Sequence, residues 1–172
     1  MDPIDLGLLL LRVAIGVTVI LHGWNHMFGG GKLPGTARWF ESMGLRPGWL
    51  HARLATATEF VCGAAFALGL LTPFAAAGIV GVMWVAAITA HLPQGFFIFR
   101  PEQGWEYVMN LAVAAVAVAT IGPGDVSLDN ALDLTWGRWG GLLISAGLGT
   151  AGAAALLGAM WRPERKPAKA GR

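Results

Sequence analysis

Five apolar runs, each long enough to cross a bilayer, constrain this chain more than anything else in it. They extend from about Leu6 to Met27, Trp49 to Leu71, Phe74 to His91, Trp105 to Ile121 and Trp139 to Trp161. A helix of about 20 apolar residues spans the roughly 30 Å of hydrocarbon, and in that layer it satisfies its own backbone groups. The expected fold is all-α, a polytopic membrane helix bundle. Composition agrees, with 55% of the 172 residues hydrophobic and 13% charged, about half the charged share of a soluble domain. Trp49, Trp105, Trp139 and Trp161 stand at the ends of runs, where indole rings favour the headgroup layer. The start, Met1-Asp2-Pro3-Ile4-Asp5, has no cationic region, so the first run is expected to stay as an anchor and not be cleaved.

Loop charges orient such a bundle. Lys32, Arg38, Arg46, Arg53 and Arg100, with Arg162, Arg165, Lys166, Lys169 and Arg172 of the tail, fall on one face after five crossings. The opposite face has Asp2, Asp5, Asp125, Asp129 and Asp133 against Arg138 alone. Cations collect on the cytoplasmic side, so the N-terminus is expected outside and the C-terminus inside. The Pro/Lys-rich tail from residue 162 is expected to be disordered and near anionic lipid. No soluble basic domain is present to hold nucleic acid. Between the first two runs, Thr36 to Leu45 has apolar residues near helical spacing and reads as a short interfacial helix.

Polar groups inside apolar runs are the candidates for function, because burying them in hydrocarbon is costly without partners. On the first run Arg12, Gly16, Val19, Gly23 and His26 share one face, which turns Arg12 inward. Glu59, in the middle of the second run, is its expected ion-pair partner. His22, His91, Glu106 and Asn110 come from three different runs at similar depth, and Asn110 follows Glu106 by one helical turn and shares its face. These four define an expected ligand pocket, with Trp24 and Trp105 as flat apolar walls. A histidine beside a carboxylate can hold or pass a proton, which suits a quinone carbonyl or another polar headgroup. His22 and His26, four residues apart, could also reach one metal ion with His91 or Glu106 as a third ligand. No HExxH sequence or cysteine cluster supports that alternative, Cys62 being the only cysteine. In the last run Gly141, Ser145, Gly149 and Ala153 form a small-residue ridge, a packing surface for a helix of the same bundle or of another subunit.

Taken together, Leu-Leu-Arg12, His22-Gly23-Trp24, Glu59 with Gly63, Leu-Gly-Leu-Leu-Thr-Pro at 68–73, His91-Leu-Pro-Gln-Gly-Phe96, Trp105-Glu106-Tyr107 and Gly122-Pro-Gly-Asp-Val-Ser-Leu-Asp129 resemble the DoxX family of small bacterial membrane proteins. The pieces occur in that family's order over about residues 6–132. The resemblance implies a four-helix membrane core and a bacterial inner-membrane location. It also implies an association with redox systems. A subunit of a thiosulfate:quinone oxidoreductase is related, and a mycobacterial member belongs to a membrane complex with a superoxide dismutase and a sulfurtransferase. This chain departs from that form by its fifth run and basic tail, and by His26 where a lysine is frequent. The expected organisation is a four-helix core over 1–132, an extra membrane helix over 133–161 and a basic tail over 162–172. The expected role is a redox-associated membrane subunit that binds a quinone-like or other amphipathic ligand, in a homo-oligomer or beside soluble or membrane redox partners. The alternative is a non-catalytic anchor that docks soluble proteins. A transporter is disfavoured, since no inverted repeat or broken helix is visible.

Overall fold

A computed structural model describes residues 2–134, 136 and 138–163; the basic tail from residue 164 onward lies outside the described residues. Among the described residues seven helices follow one another: α1 (Pro3–Phe28), α2 (Lys32–Ser42), α3 (Gly48–Leu68), α4 (Thr72–Gln94), α5 (Glu106–Ile121), α6 (Leu128–Ala131) and α7 (Arg138–Met160). No strand occurs among the described residues. Wide π turns interrupt α4 at Ala87–His91 and α7 at Leu143–Leu148. The interfacial helix expected near Thr36 is α2, which begins four residues earlier.

Local chemistry sets the boundaries. The Asp2 carboxylate accepts a hydrogen bond from the Ile4 amide at 2.7 Å, and Pro3 opens the first turn of α1, where its missing N–H has no helical partner to lose. Gly69 ends α3 in the left-handed region, with φ of 66°, the usual conformation of a helix C-terminus. Only Gly69, Leu70 and Leu71 then separate α3 from α4, so the two helices form a tight antiparallel pair.

By length and apolarity α1, α4 and α7 can cross a membrane, and α5 is an apolar helix of 16 residues. Helices α1, α3, α4, α5 and α7 occupy the five expected runs, with α3 less apolar and α5 shorter than the others. α3 has 21 residues, but it carries His51, Arg53, Thr56, Thr58 and Glu59, which lower its hydropathy below that of its neighbours. α5 starts at Glu106 because the chain before it, from Gly95 to Trp105, is held in a compact loop.

α4 is the central helix and packs on α3, α5 and α7, while α1 lies chiefly on α3. Ile15 and Val19 of α1, Phe66 of α3, Ile79 and Met83 of α4, and Val108 and Val118 of α5 meet in one core. At the crossing of α1 and α3, Gly16 lies against the backbone of Gly63 and Ala67; a Cβ on Gly63 would stand 2.8 Å from the Gly16 carbonyl oxygen. Such backbone contact is how helices associate where lipid removes the hydrophobic driving force. The small-residue ridge of α7 is used within the chain. Gly141 meets the backbone of Ala119 in α5, and Gly149 meets that of Ala77 in α4. α7 is also tied down at its end, where Trp161 Nε1 donates to the Met43 carbonyl at 2.9 Å and the Arg46 amide to the Met160 carbonyl at 3.1 Å.

Candidate functional site

All four histidines of the chain, together with Glu59 and its single tyrosine, Tyr107, line one cavity of about 1080 Å³. α1 contributes His22 and His26, α3 His51 and Glu59, the π turn of α4 His91, and α5 Tyr107. α2 covers one side, with Trp39 and Phe40 against the His26 ring at centroid distances of 6.4 and 5.5 Å. Thr36 fixes that cover by donating to the His26 carbonyl at 2.9 Å.

Two polar pairs stand in the cavity. His26 Nδ1 and Glu59 Oε2 are 2.9 Å apart, with Glu59 only 3% exposed. Their alignment misses the angle of a hydrogen bond, and both atoms keep unused hydrogen-bonding capacity. In the second pair the Tyr107 hydroxyl lies 2.8 Å from His91 Nε2, and His91 Nδ1 lies 2.8 Å from the Gln103 carbonyl oxygen. A carbonyl can only accept, so Nδ1 carries the proton, and the neutral ring's Nε2 accepts from the tyrosine hydroxyl. His22 stacks on the Tyr107 ring, with centroids 5.9 Å apart and planes 8° from parallel. His51 is 3% exposed, and its Nε2 has no partner. Buried polar atoms are nearly always paired. An unpartnered imidazole nitrogen and a loosely aligned carboxylate on one cavity wall therefore mark a place where a polar ligand group fits.

The residues of the expected pocket are placed apart. His22 and His91 line the cavity; Glu106, Asn110, Trp24 and Trp105 do not. Glu106 Oε2 accepts from the Ile98 amide at 3.0 Å and closes the loop before α5, and Asn110 donates to the Glu106 carbonyl at 3.0 Å. The reason is one step of helical rotation. Successive residues lie about 100° apart around a helix, and α5 turns Tyr107 to the cavity, so Glu106 and Asn110 leave it together. Trp24 is 57% exposed and packs on Phe28 at 4.4 Å. Trp105 packs on Phe96 at 4.8 Å and borders a separate apolar cavity of about 520 Å³ between α4, α5 and α7. His26, His51, Glu59 and Tyr107, which the sequence does not single out for the pocket, line the cavity with His22 and His91. Tyr107 had one readable signal, as the chain's only tyrosine inside an apolar run.

Arg12 and Glu59 are not a pair. Gly23 of α1 lies beside Glu59 of α3, with a Cβ at Gly23 only 3.1 Å from the Glu59 Cβ. Arg12 is eleven residues earlier, about 16 Å along the helix. There it is fully buried and donates through Nη2 to the Val126 carbonyl, with Asp129 as the nearby counter-charge. Asp129, also fully buried, accepts from the Leu71 amide at 2.7 Å and the Thr72 amide at 2.9 Å, so it caps α4. Arg12, the 69–72 turn and the 126–129 loop thus lock one end of the bundle, and Glu59, in the middle of α3, lines the cavity.

Among the described residues no cluster of three or more His, Cys, Asp or Glu is arranged to hold a metal ion. No curated protein and no solved structure matches the chain. The DoxX family model matches residues 7–92, which hold Arg12, His22, Glu59 and His91 and stop short of Tyr107. With half of its 172 residues matched, the chain belongs to the DoxX family and is a multi-pass membrane protein.

Proposed function

We propose that this protein is a redox-associated subunit of a bacterial inner membrane and that it binds the headgroup of a quinone-like amphiphile in the histidine-lined cavity. The observation that carries the reading is the gathering of four imidazoles, a buried carboxylate and a phenol from four helices around one cavity inside an apolar bundle. Random placement of polar groups in a membrane protein is selected against by their desolvation cost. A quinone carbonyl accepts hydrogen bonds, and a quinol donates them. Tyr107, His22 and His51 supply donors and acceptors for both forms, and His26 with Glu59 can take up or release a proton next to the bound ring. The positive-inside distribution of loop cations supports a cytoplasmic position for the α2 end of the bundle and, with it, for the cavity.

No flavin, haem or iron–sulfur motif occurs in the sequence, so electrons would pass to or from a partner protein or a diffusible thiol. The test is mass spectrometry of small molecules that co-purify with the protein in mild detergent, followed by the same measurement on His51→Ala and Tyr107→Phe. A prenylquinone that accompanies the wild type and is depleted in both variants is the expected result. A stably folded wild type that carries no quinone and takes none up, and instead brings down a soluble protein, favours the anchor reading.

A further inference from the structure

We infer that the cavity takes its ligand in two parts and that α7, which lies outside the matched family region, forms one wall of a channel for the ligand's single apolar tail; this rests on the quinone reading above. The polar lining groups come from α1 to α5, whereas α7 lines the cavity with Leu148, Gly149, Gly152, Ala153 and Leu156, all apolar. Leu54 of α3 and Gly81 and Val85 of α4 line the same cavity and form an apolar slot with that wall. α3 and α7 each pack along α4 and have few contacts with one another, which leaves the slot between them. Leu54 and Leu148 at its rim are exposed.

The volume, about 1080 Å³, lies at the upper limit of sites for drug-sized ligands and exceeds what one substituted ring fills. Polar groups from four helices and an apolar wall on α7 in one cavity match a headgroup followed by a single chain. The polar lining carries its own sign of a ligand in the partnerless Nε2 of His51, a side chain 3% exposed. The glycines that border the slot divide by role. Gly78 is needed for packing, since a Cβ there would collide with Cys62, and a Cβ on Gly149 would stand 2.7 Å from the Ala77 carbonyl oxygen. At Gly152 an added Cβ meets nothing within 4 Å. Gly152 borders the cavity, so a side chain there adds bulk at the slot and leaves helix packing untouched.

Gly152→Phe therefore tests the channel on the full-length protein in detergent or nanodiscs. Two probes are titrated, a benzoquinone without a tail and the same ring with a long prenyl chain. The wild type should bind the tailed compound more tightly. Gly152→Phe should weaken the tailed compound about tenfold or more, equivalent to removing roughly two methylene groups from apolar contact, and leave the tail-less compound unchanged. Gly158→Phe, at another open glycine of α7 that does not line the cavity, should behave as wild type. A wild type that binds neither probe overturns the proposed function and the channel with it. A wild type that binds both probes alike, or a Gly152→Phe protein that loses both or neither, overturns the channel and leaves the headgroup site standing.

Discussion

Asp129→Ala is the most exposing test of how the bundle is held together, because one carboxylate serves three elements. Its two oxygens accept the Leu71 and Thr72 amides at 2.7 and 2.9 Å, and its charge faces the buried Arg12. A hydrogen bond to a charged group contributes about 1.5–3 kcal/mol, so the two caps account for roughly 3–6 kcal/mol. Asp129 is a nearby counter-charge of Arg12 and not a contact ion pair, so its removal adds less than the about 3–5 kcal/mol of breaking a buried pair. These effects share one group and do not add fully, which puts the loss at about 4–6 kcal/mol. Leu71, at φ of 46°, has a left-handed conformation that the capped turn must maintain, which works in the same direction. With roughly 2–4 °C per kcal/mol for a chain of this size, the thermal midpoint in mild detergent, followed by tryptophan fluorescence, should fall by about 10–20 °C. Asp129→Asn, which keeps one acceptor oxygen and loses the charge, should fall between. Adding Arg12→Leu to Asp129→Ala should restore part of the loss, since the unpaired guanidinium is then gone. A midpoint for Asp129→Ala within about 3 °C of wild type would refute the lock.

Three further outcomes are expected. Gly63→Leu should separate α1 from α3 and cost several kcal/mol through overpacking, whereas Gly152→Leu should leave the thermal midpoint nearly unchanged; equal effects would contradict the assigned crossing. Glu106→Gln should leave quinone binding intact and only loosen the loop before α5, while Tyr107→Phe should weaken binding with the fold retained, so titration of both variants separates the cavity face of α5 from its other face. A reporter active only in the periplasm, fused after Arg172, should give no signal, and a strong signal would reverse the proposed orientation.

The sequence by itself determined the class of fold. Apolar runs of bilayer length leave helices as the only economical structure in hydrocarbon, and the small residues at Gly16, Gly63, Gly141 and Gly149 marked the faces where helices touch. It also brought His22 and His91 to similar depth, and both line the same cavity. Register and rotation were left to the tertiary structure. Whether Arg12 meets Glu59 depends on how far α3 slides along α1, and the close approach of Gly16 to Gly63 fixes that slide and sets the two charges apart. Whether Glu106 or Tyr107 faces the cavity depends on the rotation of α5, which the packing of Val108, Ala115 and Val118 into the core decides. Helical periodicity states which residues share a face; only contact with other helices states where that face points.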